Sequence, residues 1–137
     1  MKFNLYNHVN LFRWITVAAL AIVGIVHLNL YAREQYDAIP TIGPLFLATV
    51  ILSFIFATAF AVRPGRILAG MIACFLIGVF GGYMIALRGN LFAFHEPKIS
   101  YSGGFGVTAE LVGALASVLY TAGRHKDPPL KADGAKE

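Results

Sequence analysis

Glu110 is the side chain in this sequence whose position is hardest to explain without chemistry. It is the one charge in a run of 25 residues from Ile99 to Gly123 that is otherwise uncharged. A carboxyl group in an apolar stretch of that length costs several kcal/mol on most scales, so such groups turn to a protein interior and are paired or neutral. On a helix its same-face neighbours are Gly106, Gly113, Ala114 and Ser117, which puts it on the small-residue side. Two functional readings follow, a proton-coupled site and a ligand anchor. The structural alternative is a carboxyl held by a backbone or hydroxyl group. His27, Tyr83 and Arg88 are the companions that spacing suggests. His27 lies four residues before Tyr31, Tyr83 five before Arg88, and Glu110 five after Phe105. At ~1.5 Å per residue these offsets correspond to a common depth of roughly 6 to 8 Å. An imidazole, a phenol and a carboxyl capped by a guanidinium can bind a ligand or relay a proton. The blander reading of His27 is a core histidine with a satisfied hydrogen bond.

Other chemistries find little support. No nucleophile motif or cofactor fingerprint accompanies these residues, so an enzyme is the least favoured class and no catalytic residue is assigned. His95 and Glu96 are adjacent and project differently, and no usual ligand spacing joins them to His27 and Glu110, so no metal is assigned. His27 is the only histidine inside an apolar run, which argues against bis-histidine haem, and no other cofactor is expected. Cys74 is the only cysteine, which excludes an internal disulfide and a Cys-x-x-Cys pair. Tyr31, Arg33, Glu34, Tyr36, Asp37, His95 and Glu96 are further polar candidates in the connections.

The elements that must position these groups are long apolar helices. Between charges lie 19 residues from Arg13 to Arg33, 25 from Asp37 to Arg63 and 21 from Arg66 to Arg88, followed by the run around Glu110. A span needs roughly 20 apolar residues to cross a hydrocarbon core about 30 Å thick, so each run suffices for one helix and none for two. The chain is 58% hydrophobic and 13% charged with mean hydropathy +0.69, against about a quarter charged in soluble domains. The expected fold is therefore an all-α, integral membrane, antiparallel four-helix bundle at 1–123, with spans at about 11–31, 42–62, 67–87 and 105–122. Residues 124–137 are expected to form a polar, disordered tail. The first run is too long for the apolar core of a cleaved signal peptide and is read as a retained helix.

Lys2, Arg13, Arg63, Arg66, Arg124, Lys126, Lys131 and Lys136 flank one side of the spans, and Arg33, Arg88 and Lys98 the other, a split of eight to three. By the positive-inside rule both termini are cytoplasmic. Cysteines introduced at Asp37 and Ser100 should then label from outside intact cells and one at Gly65 should not; labelling of Gly65 alone would invert the topology. The formal charge of +4 sits at span ends and forms no aromatic-interleaved stripe, so nucleic acid is not an expected partner.

Within the spans small residues recur at i, i+4, the spacing that lets helix backbones approach in lipid. The expected packing ridges are Ser53, Ala57 and Ala61 on the second helix; Gly70, Cys74, Gly78 and Gly82 on the third; and Ala109, Gly113 and Ser117 on the fourth. Any of them can face a partner protein or a second copy instead. Thr41 is the expected N-cap of the second helix, with Pro44 in its first turn. Arg63-Pro64-Gly65-Arg66 is a tight turn expected to make an antiparallel hairpin of the second and third helices.

His27-Leu28-Asn29-Leu30-Tyr31, Tyr36 and the stretch Ile39-Pro40-Thr41-Ile42-Gly43-Pro44-Leu45-Phe46-Leu47 resemble a group of small four-span bacterial membrane proteins. Leu91-Phe92-Ala93-Phe94-His95-Glu96 and the glutamate of the fourth helix fit that group too. The similarity extends over about 15–122 and implies the fold and a multi-pass place in a bacterial inner (plasma) membrane. The group has no established activity, so it implies no function. Small multidrug transporters also use one membrane glutamate, but theirs lies in the first helix. Glu110-Leu111-Val112-Gly113 is similar in a general way to a segment of DoxX-like proteins. The sequence favours a non-enzymatic accessory or scaffold subunit acting through its ridges in the lipid bilayer. The alternative is a small-molecule or proton-coupled binding or transport protein using His27, Tyr83, Arg88 and Glu110.

Overall fold

A computed structural model describes residues 5–34, 38–89 and 101–123. Among these residues the chain forms four α-helices, α1 (Leu5–Arg33), α2 (Ile42–Val62), α3 (Arg66–Arg88) and α4 (Tyr101–Gly123), and no strand. All four are long and apolar enough to cross a membrane. Large apolar side chains are exposed on each of them, Ile25, Ile55, Ile77 and Leu115 among others. Helices apolar on their outward as well as inward faces suit lipid as solvent, because water would leave that surface as a large unburied patch.

The ends of α2 coincide with the expected span and those of α3 lie one residue beyond it on each side, whereas α1 and α4 start earlier than the charge pattern suggests. Ser102, Gly103 and Gly104, expected to close a loop, form the first turn of α4. Gly103 is buried there and the Ser102 hydroxyl donates to Glu34 Oε1 at 3.0 Å. Helical hydrogen bonds satisfy the carbonyls of these residues, which outweighs glycine's propensity cost of about 1 kcal/mol. Thr41 does occupy the N-cap of α2, but its hydroxyl does not cap. With φ 70° it instead centres a γ-like turn in which the Ile42 N–H donates to the Pro40 carbonyl at 2.9 Å.

Close approaches fix the helix arrangement. Along α1 and α4, Val9 faces Gly123, Ala19 faces Gly113, Val26 faces Gly106 and Glu34 reaches Ser102, an antiparallel register held along both helices. Gly24 faces Phe54 and His27 meets Phe46 on the antiparallel α2. Near the start of α1, Arg13 Nη2 donates to the Ala61 carbonyl in the last turn of α2, which occupies an acceptor the helix cannot satisfy itself. Thr16 Oγ1 and Ser117 Oγ lie 3.4 Å apart, but each already donates to a carbonyl of its own helix, Phe12 and Gly113.

The core fills the half of the bundle nearer the 63–65 turn. Leu20, Val23, Phe60, Ile72 and Leu76 are fully buried there with Tyr120, whose ring meets Phe60 edge-on at 4.9 Å. Packing runs α2 on α1, α1 on α4 and α4 on α3, while α2 and α3 touch at few places despite being consecutive. The short turn does reverse the chain, but it does not zip the two helices together. Phe56 and Phe75, 5.3 Å apart, bridge the seam; towards the Arg88 end it opens.

Candidate functional site

The open part of the α2/α3 seam is a cavity of about 380 Å³ to which all four helices contribute. Its origin is visible in α3. Cys74, Gly78 and Gly82 succeed one another at i, i+4 in the wall and carry too little side chain to fill the space. A methyl group placed on Gly78 would meet nothing within 4 Å. Opposite stand Leu45, Phe46 and Thr49 of α2, with Val26, His27 and Leu30 of α1 and Gly103, Gly106 and Glu110 of α4 behind them.

The α3 ridge expected to pack against a helix therefore borders empty space. Gly70 likewise has nothing within 4 Å of an added methyl, and Cys74 and Gly78 are exposed. The buried face of α3 is instead Ala69, Ile72, Ala73, Leu76 and Ala86. On α4, Ala109, Gly113 and Ser117 are buried, and on α2 Ser53 and Ala57 are buried while Ala61 is half-buried. The i, i+4 spacing was legible for each ridge. Which ones meet a neighbour depends on how three helices share volume.

Of the four expected site residues, His27, Tyr83 and Glu110 line the cavity. Arg88 is exposed in the last turn of α3 and is not part of the lining. The depths also differ from expectation, because α4 begins at Tyr101. Glu110 is nine residues into its helix, about 13 Å, whereas His27 is six residues, about 9 Å, from the end of its own. The polar groups are staggered down the cavity wall and do not form one layer.

His27 is 8% exposed and its Nδ1 lies 2.9 Å from the Val23 carbonyl oxygen. A carbonyl only accepts, so Nδ1 carries the hydrogen and, in the neutral ring, Nε2 is an acceptor. The ring leans on Phe46 at 5.1 Å with planes tilted by 45°. Glu110 is 2% exposed, and its Oε2 is buried without a hydrogen-bond partner. No hydrogen bond joins Glu110 to His27; the two share the cavity wall. Thr49 Oγ1 donates to the Leu45 carbonyl at 2.9 Å.

Phe46, Thr49 and Phe75 belong to the wall but were not singled out from sequence; Phe46 lies inside the segment 39–47 that carries the resemblance. Tyr36, Asp37, His95 and Glu96 lie outside the described residues. Among the described residues no group of three or more His, Cys, Asp or Glu side chains is placed to hold a metal ion. No protein-family model, curated protein or solved structure matches this chain.

Proposed function

We propose that this protein is a four-span integral membrane protein, with both termini cytoplasmic in a bacterial plasma membrane, that binds a small and mostly apolar molecule in the cavity between α2 and α3. The observation that carries this reading is the buried, unpartnered Oε2 of Glu110 in the wall of that cavity. A purely structural carboxyl finds a backbone or hydroxyl partner, since leaving one buried polar atom unsatisfied costs about 1–3 kcal/mol. That cost is explained if the partner is a ligand. The volume falls within the range of roughly 300–1,000 Å³ usual for small-molecule pockets, and the lining, apolar with a few convergent polar groups, suits one.

Binding needs no reaction at the site. His27, locked by Val23 and Phe46, offers a preorganised acceptor on α1, and Glu110 offers a second on α4. The open seam between α2 and α3 is the route of entry, since of the helix pairs that pack side by side those two touch least and can part with the smallest loss of packing. The accessory-subunit reading draws on a different feature, the uncovered backbone at Gly70 on α3, where a partner helix can approach closely.

Native mass spectrometry of protein extracted gently from its own membrane separates the two. The expected result is a small-molecule adduct in the wild type that is lost in Gly78→Phe, whose ring would occupy the cavity. An adduct that survives Gly78→Phe, or a wild type with no adduct, overturns the binding reading. A stoichiometric protein partner without any adduct supports the subunit instead.

A further inference from the structure

We propose that the ligand of this cavity is a lipophilic ammonium ion, a compact apolar body carrying one protonated amine. The inference rests on the binding reading above and adds the chemistry of the polar end. Two of the cavity's hydrogen-bond donors are committed to its own backbone, while the Tyr83 hydroxyl and the Cys74 thiol are further donors in the lining. His27 Nδ1–H is committed to the Val23 carbonyl and the Thr49 hydroxyl to the Leu45 carbonyl. What these groups leave for a guest are acceptors: His27 Nε2, the lone pairs of Thr49 Oγ1, and the Glu110 carboxylate with its unpartnered Oε2. A guest that donates is the complement of these acceptors.

The number and placement of acceptors narrow the class further. His27 stands on α1 and Glu110 on α4, so a guest bonded to both must present donors to two walls. A hydroxyl has a single hydrogen and satisfies one of them; an ammonium has three and can satisfy both. Among the described residues Glu110 is the only acidic side chain of the lining, and a monovalent cation balances its charge where water is scarce. Phe46, Phe75 and Tyr83 add aromatic faces, which attract cations. An anionic head would meet the carboxylate and be repelled by it.

Three probes with one body test this: 4-butylbenzylammonium, 4-butylbenzyl alcohol and 4-butylbenzoate, applied to the protein in phosphatidylcholine nanodiscs. Cys74, which lines the cavity and is exposed, reports occupancy through its rate of alkylation by iodoacetamide, followed by intact mass. The ammonium is expected to protect Cys74 at a concentration at least roughly tenfold below the alcohol, the gain of a charge-assisted hydrogen bond, and the benzoate not at all. In Glu110→Gln that preference should disappear while the alcohol still protects. Alcohol and ammonium protecting equally, protection by the benzoate, or a preference that survives Glu110→Gln overturns the ammonium assignment and leaves the cavity a binding site. If none of the three protects the wild type, the binding reading falls, and this inference with it.

Discussion

Glu110→Leu should give a more stable protein that no longer prefers an ammonium guest. The carboxyl group is almost completely buried and its Oε2 has no hydrogen-bond partner, so the native residue carries a desolvation cost that the fold does not recover. Replacing such a group by an apolar one of similar girth removes that cost, worth about 1–3 kcal/mol, and the adjoining cavity gives the leucine methyls room to settle. Glu110→Gln is expected to change stability less, because the amide is as polar as the acid it replaces. Both should lose the ammonium preference. The midpoint of thermal or detergent-induced unfolding measures the first effect. A fall of a kcal/mol or more in Glu110→Leu would mean that the carboxyl holds the bundle together, and the site would have to be abandoned as a ligand anchor. Stability gained at the expense of binding is the usual signature of a functional group kept in an unfavourable place.

The second large effect is expected at Gly113. A methyl group there would lie 2.8 Å from both Ala19 Cβ and Leu76 Cδ1. The leucine tip can rotate away, but Ala19 Cβ is fixed to the backbone of α1, so α1 and α4 must separate. Gly113→Ala should cost about 1–3 kcal/mol despite alanine's better helix propensity. Gly113→Leu should prevent the bundle from assembling, since α1 and α4 are the most extensively packed pair. Gly70→Leu is the matched control, because a methyl group at that site meets nothing within 4 Å. Yield of monodisperse protein by size exclusion, together with the unfolding midpoint, compares the two. Equal loss at both glycines would mean that the uncovered α3 backbone at Gly70 is packed against a partner or a second copy.

The spacing of charges determined four helices and most of their ends, for a reason that does not depend on how they pack. A backbone in an apolar medium must satisfy its own N–H and C=O groups, and an uninterrupted apolar run of about 20 residues does so as one helix. Misjudged ends, such as Ser102-Gly103-Gly104, came from weighing glycine's local preference above that requirement. Spacing also brought out His27, Tyr83 and Glu110, because a polar side chain is conspicuous among apolar ones. It could not decide what they share. Arg88 has a helical offset as suitable as that of Tyr83, yet it is exposed outside the cavity. The stripes on α3 and α4 read alike, but one borders open space at Gly78 and the other is pressed against Ala19 and Leu76 at Gly113. An i, i+4 row of small residues says only that a backbone can be approached. Whether another helix comes close, or a cavity is left, is decided by the volumes of side chains on neighbouring helices, and only the assembled bundle brings those together.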